Sequence, residues 1–287
     1  MTEGERWAGE LLAELRDARS APAGWRRFLA RSFERAAEQR RAHRRAHVQT
    51  VILGALGLTA WAAVALAGRP AVTVAGLAWW LLVVVMLDWH LGMVERADGS
   101  PLPGIGAANA VTLGRAAVVP ALPLLSPELT AAALAAAGAS DMLDGWLARA
   151  RDEVTRLGRW LDGAVDGFVL SVAATFLASD GLLAPWLAGL VAFRYAVPWL
   201  AIGATYFACA EPPPPAGHVS GRLPGAVLLA GLVLTALAVP GGPALTGVGA
   251  LAGLGTVALT IGGTAWVLGQ RRATISGELP ARPSHGR

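Results

Sequence analysis

Four aspartates recur at regular intervals in one stretch of the chain, DMLDGWLARARDEVTRLGRWLDGAVD, which runs from Asp141 to Asp166 between two apolar runs. Asp141 and Asp144 are three residues apart and so share one face of a helix. Asp162 and Asp166 are four apart, one turn of a second helix, with Gly158 one turn before Asp162. The short polar connector from Arg151 to Arg156 predicts the turn of a helical hairpin. Closing that hairpin brings all four carboxylates to one place, where they repel strongly unless cations lie among them. Hard oxygen donors at this density suit Mg²⁺, Mn²⁺ or Ca²⁺. Paired divalent ions bridged by carboxylates are one way to catalyse displacement at phosphorus. A solvated loop, the alternative, has no need of three- and four-residue spacing.

The elements that must position these residues are membrane helices. With 54% hydrophobic and 15% charged residues, the 287-residue chain is too apolar for an ordinary soluble domain. Apolar runs of about 18 residues or more recur along it, which predicts an all-α polytopic membrane protein. Spans are expected near 48–68, 71–94, 109–125, 129–149, 157–178, 183–208, 223–239 and 245–268. The net charge of +4 does not point to nucleic acid, because the arginines gather at the N-terminus and between the spans. No lysine occurs, and the single cysteine, Cys209, excludes an intrachain disulfide.

With the N-terminus inside and the spans alternating, segments 1–47, 95–108, 150–156, 209–222 and 269–287 face the cytoplasm and hold 19 of the 24 arginines, whereas the outside turns hold one, Arg69. The aspartates then lie at the cytoplasmic face of a multi-pass protein of the cell membrane. Residues 1–47 read as an Arg-rich amphipathic segment, with Trp25, Phe28, Leu29 and Phe33 at helical spacing among Arg26, Arg27, Arg31 and Arg35. Such a helix suits an anionic lipid surface, and a solvated helix or tail is the plainer alternative. Asp88 and His90 at the end of the second span are two ligands at most, better read as interfacial anchors.

The aspartate stretch also carries the pattern D-x2-D-G-x2-A-R-x8-G-x3-D-x3-D, filled here by Asp141, Asp144, Gly145, Ala148, Arg149, Gly158, Asp162 and Asp166. In this it resembles the CDP-alcohol phosphatidyltransferase family. The resemblance extends upstream to P-N-x2-T-x2-R, matched by Asn109, Thr112 and Arg115, with Ala108 where the family has proline. It implies a six-helix catalytic domain over about residues 105–270, usually dimeric. The two spans at 48–94, the N-terminal helix and the 271–287 tail are additions that it does not explain.

The implied reaction moves a substituted phosphate from a CDP-alcohol such as CDP-diacylglycerol to an alcohol, releasing CMP, in phospholipid synthesis. Asp141, Asp144 and Asp162 would bind two divalent cations, Mg²⁺ or Mn²⁺. Asp166 would complete that set and act as general base. Asn109, Thr112, Gly145, Ala148, Arg149 and Gly158 would hold the nucleotide. The plainer reading of Asn109 and Arg115 is a helix cap and a snorkelling arginine, and that of the glycines is helix packing.

Arg115, Arg194 and Arg222 are candidates for the acceptor. Arg194 interrupts an apolar span, where an unpaired charge is costly, and Arg222 begins the next. Together they could clamp a phosphate on the acceptor, as in glycerol 3-phosphate or inositol phosphate. Alternatively Arg194 pairs with an aspartate of the cluster, and Arg222 is a positive-inside loop residue. A cation-binding membrane transporter is the rival function. Transporters more often carry internal repeats, and only one carboxylate cluster is visible here.

Overall fold

The computed structural model describes residues 3–18, 21–96, 98–209 and 219–275. Ten α-helices run through them: α1 (Glu3–Asp17), α2 (Pro22–Ala42), α3 (Arg44–Val64), α4 (Pro70–Trp89), α5 (Ala107–Val118), α6 (Pro127–Ala150), α7 (Arg156–Ser179), α8 (Pro185–Cys209), α9 (Val219–Ala236) and α10 (Gly242–Ile275). There is no sheet among the described residues, only an isolated bridge between Glu95 and Pro101.

Among the described residues, six stretches are long and apolar enough to cross a membrane: Arg44–Ala67, Pro70–Trp89, Ala107–Leu124, Arg156–Ser179, Pro185–Ala204 and Gly242–Leu259. The chain is thus a multi-pass membrane protein. The sequence predicts eight spans, and the two that do not qualify do so for different reasons. Helix α6 carries Asp141, Asp144 and Arg149 in its last turns, and in α9 the described side chains form a shorter apolar stretch, Leu223–Ala236. Both nonetheless pack within the bundle, α6 between α5 and α9.

The apolar interior has two parts. One joins α6, α7, α8, α9 and α10 around Leu134, Ala173, Val191, Leu228 and Ala250. Close approach of α9 to α10 depends on glycines, since a Cβ on Gly231, Gly242 or Gly249 would strike the facing helix backbone. The other joins α3 and α4 to the start of α5 and α7 through Trp61, Trp80, Leu87, Ile105, Leu113 and Leu157. Here two tryptophans interlock with the opposite helix. Trp61 lies on Gly76 and Trp80 on Gly57, and the Trp80 indole donates to Gly54 O at 3.1 Å.

At the N-terminus the structure departs from the single amphipathic helix expected. Pro22 restricts Ala21 to extended backbone, so the segment breaks into the hairpin α1–α2. Leu11, Leu12 and Leu15 of α1 are buried, and ion pairs from Glu14 to Arg31 and from Glu3 to Arg35 tie the two helices. Trp25 and Phe28 pack on Phe207 of α8, and Phe33 on Trp89. Asp88 is engaged within the protein: it accepts from Arg40 Nε at 2.6 Å, and His47 Nδ1 lies 2.6 Å from its other oxygen. His90 instead contacts Met86 O. The C-terminal tail lies outside the described residues from 276 onward.

Candidate active site

The hairpin of α6 and α7 forms as the spacing predicts, and its turn has a definite chemistry. Helix α6 ends in a Schellman motif, with Glu153 N donating to Ala148 O at 2.8 Å and Asp152 N to Arg149 O at 3.4 Å. Asp152 takes the left-handed position at φ 53°. Thr155 then caps α7, its hydroxyl accepting from Gly158 N at 2.9 Å. The connector is held from outside as well: Arg96 Nε donates to Asp152 O at 2.7 Å, and Arg156 N donates to Glu95 O at 3.1 Å.

Helix α5 lies across the open side of this hairpin, and Thr112 and Arg115 project from it between the aspartates. The Thr112 hydroxyl oxygen is 2.9 Å from Asp144 Oδ2 and 2.8 Å from Asp162 Oδ1. It has one proton for two carboxylates. Arg115, its side chain 2% exposed, aims Nη2 at the centre of the cluster. That nitrogen lies 3.2 Å from Asp166 Oδ1, 3.3 Å from Asp144 Oδ2, 3.6 Å from Asp141 Oδ1 and 3.9 Å from Asp162 Oδ1. It completes no well-directed hydrogen bond to any of them, whereas Nη1 donates to Ala137 O and Ser140 Oγ. All four aspartates therefore converge on one point, and Arg115 belongs to that point.

Next to it opens a small cleft, part of it in solvent. Asn109, Thr112, Asp144, Ala148, Gly158 and Asp162 line it, together with Ala108, Glu153, Val154, Thr155 and Arg159. Asn109 Nδ2 donates to Ile105 O at 2.8 Å and to Thr155 Oγ1 at 3.3 Å. Its Oδ1 rests against Gly158, where a Cβ would stand 2.6 Å away. Gly158 is therefore glycine because a side chain of α5 fills its place.

Some expected residues fall elsewhere. Gly145 and Arg149 do not line the cleft; the Arg149 guanidinium folds back over Gly145. Arg194, 6% exposed, does not pair with an aspartate of the cluster. Its Nη1 donates to Pro224 O at 3.2 Å and to Gly249 O at 3.0 Å, which stitches α8 to α9 and α10. The adjacent Tyr195 packs on Gly167, the residue after Asp166. The side chain of Arg222 lies outside the described residues. Motif spacing missed Glu153 and Arg159, because both occupy variable positions. Only their place in and beside the connector could have drawn attention to them.

Four carboxylates and one hydroxyl, all hard oxygen, fit Mg²⁺ or Mn²⁺. As the side chains stand, no three acidic, His or Cys groups among the described residues already surround a common ion position. Arg115 Nη2 stands at the point they share.

The chain is a membrane bundle that gathers a carboxylate cluster beside a polar cleft, near the ends of its helices. Residues 106–264, more than half of the chain, match the CDP-alcohol phosphatidyltransferase family. The chain belongs to that family and is a transferase of phospholipid synthesis, a family that uses a CDP-alcohol donor, an alcohol acceptor and, typically, divalent cations. No solved structure matches it.

Proposed function

We propose that this protein transfers a phosphatidyl group from CDP-diacylglycerol to a phosphorylated alcohol, releasing CMP at the cytoplasmic face of the cell membrane. The observation that carries the reading is the convergence of Asp141, Asp144, Asp162 and Asp166 on one point bordering the Asn109–Gly158 cleft. The cleft is small and lined largely by polar residues, and the nucleotide end of the donor would face it, with the acyl chains outside. The chains would stay in the bilayer, along the apolar outer surface where Met142, Leu143 and Trp146 are exposed.

Two divalent ions, Mg²⁺ or Mn²⁺, would be held by Asp141, Asp144, Asp162 and Asp166, and would supply charge neutralisation of the pyrophosphate and its leaving phosphate. Arg115 must yield the centre of the cluster for this, and its charge is then free to meet a phosphate oxygen. Asn109, Thr112, Ala148 and Gly158 would hold the cytidine and its phosphate on the cleft side. Asp144 and Asp162 line that cleft, whereas Asp141 and Asp166 do not. The acceptor would therefore approach from the Asp166 side. Asp166 would take the hydroxyl proton as the oxygen attacks the phosphorus that carries the diacylglycerol. The bond from that phosphorus to the CMP phosphate breaks, and CMP leaves.

Arg194, with Arg222, would set a preference for a phosphorylated acceptor such as glycerol 3-phosphate or inositol phosphate. We further assign residues 105–270 as the catalytic domain of a homodimer, with the α1–α2 hairpin resting on the anionic inner leaflet. CMP release by purified protein, with Mg²⁺ or Mn²⁺ and with glycerol 3-phosphate, inositol phosphate, inositol and serine in parallel, tests the reading. Turnover with a phosphorylated acceptor, abolished by chelator, is expected. Neither turnover nor binding with any CDP-alcohol would leave the cluster to a cation-binding or transport role.

A further inference from the structure

The start of α5 decides where Asn109 and Thr112 stand, and this chain lacks the proline that commonly precedes the asparagine. Proline there would preset the backbone and push residue 107 out of the helical region. Here Ala107 is already helical, and the segment before it is held by side chains from elsewhere. Gln49, in the first turns of α3, accepts from Ile105 N at 2.9 Å through Oε1. Glu153 accepts from Ala107 N at 2.9 Å through Oε2. Gly106 between them has φ 88°, a conformation that favours glycine. Gly104 lies so close to Gln49 that an added Cβ would meet Oε1 at 2.5 Å.

These bonds sit on a shared foundation. Leu102, Ile105 and Leu113 of the loop and α5, and Leu157 of α7, are buried in the same apolar core as Trp61, Trp80 and Leu87 of α3 and α4. Farther along, Trp79 of α4 donates to Ala116 O of α5 at 2.8 Å and its ring packs edge-on against Phe168, two residues after Asp166. Helices α3 and α4 thus reach α5, which carries Thr112 and Arg115, and α7, which carries Asp162 and Asp166.

We propose that the two spans added before the catalytic domain form a positioning module for the donor site, in which Gln49, through Ile105 N, sets the start of the helix that carries Asn109 and Thr112. The inference rests on the donor-site reading above. A module that served only as an anchor would need no hydrogen bond to this loop.

The test uses full-length protein in lipid nanodiscs, with Gln49→Met, Gln49→Glu and Gly104→Ala. Glutamate keeps an acceptor oxygen, methionine removes it at similar volume, and the alanine methyl displaces the amide from the loop side. Gln49→Met and Gly104→Ala are expected to raise the donor KM about tenfold, the effect of one lost hydrogen bond. Their kcat should stay within about twofold, and the KM for the acceptor should not change. Amide exchange at Ile105 should speed up while the rest of α5 stays protected. Gln49→Glu should match the wild type.

An unchanged donor KM in both Gln49→Met and Gly104→Ala overturns the proposal, as does equal impairment of Gln49→Met and Gln49→Glu. If Gln49→Met does not fold, Gly104→Ala with exchange at Ile105 decides alone. An inactive wild type that binds no CDP-alcohol removes the donor-site reading itself, an outcome distinct from an active wild type with indifferent variants.

Discussion

Arg115 is the residue on which the site's electrostatics turn. Its Nη2 stands within 4 Å of an oxygen of every aspartate in the cluster. Removing one partner of a buried charge cluster leaves the others uncompensated, typically at a cost of about 3–5 kcal/mol. Arg115→Met should therefore lower Tm by about 5–10 °C in chelator, and Mg²⁺ or Mn²⁺ should restore much of it, as read by a thermal melt with and without metal. Equal loss with and without metal would place Arg115 outside the charge balance of the cluster. Asp166→Asn keeps the shape and removes the base. CMP release should fall by about 10²–10⁴, with CDP-alcohol binding retained, as measured by calorimetry beside the activity assay.

At the scale of elements, two close approaches set the geometry. The first is α5 against the start of α7, where Gly158 admits Asn109. Gly158→Ala should displace Asn109 and weaken donor binding by about tenfold or more, with a modest loss of stability of about 1–3 kcal/mol. A donor titration against the wild type checks this. The second is α9 against α10, where a Cβ on Gly249 would strike Leu228 N. Gly249→Val should separate these helices and lower Tm sharply, well beyond Gly255→Val, whose added Cβ would meet nothing within 4 Å. Because Arg194 donates to Gly249 O, the same variant should also loosen the α8 contact.

On the scale of the whole molecule, contacts between loops gather one set of helix ends together. The Glu95–Arg156, Arg96–Asp152 and Gln49–Ile105 bonds join the starts of α3, α5 and α7 to the ends of α4 and α6. The arginine distribution predicts that this end faces the cytoplasm. In a Cys209→Ser background, Asp98→Cys should react with a membrane-impermeant maleimide from the cytoplasmic side only, and Asp180→Cys from the opposite side only. The reverse pattern would invert the topology.

The sequence by itself determined the family and the hairpin. Asp141, Asp144, Asp162 and Asp166 are legible because side chains three and four apart on a helix must share a face, whatever surrounds it. Helical spans were legible because backbone polar groups in lipid must be satisfied locally. The tertiary structure alone decided what meets across distance. It placed Arg115 at the centre of the carboxylates, Glu153 and Arg159 in the cleft wall, Arg194 on two carbonyls, and Gln49 on the loop before Asn109. It also folded the N-terminal segment back as a hairpin, with Leu11, Leu12 and Leu15 inside. Periodicity fixes which face a residue occupies, but packing between elements far apart in the chain selects the partner of that face, and no local spacing encodes it.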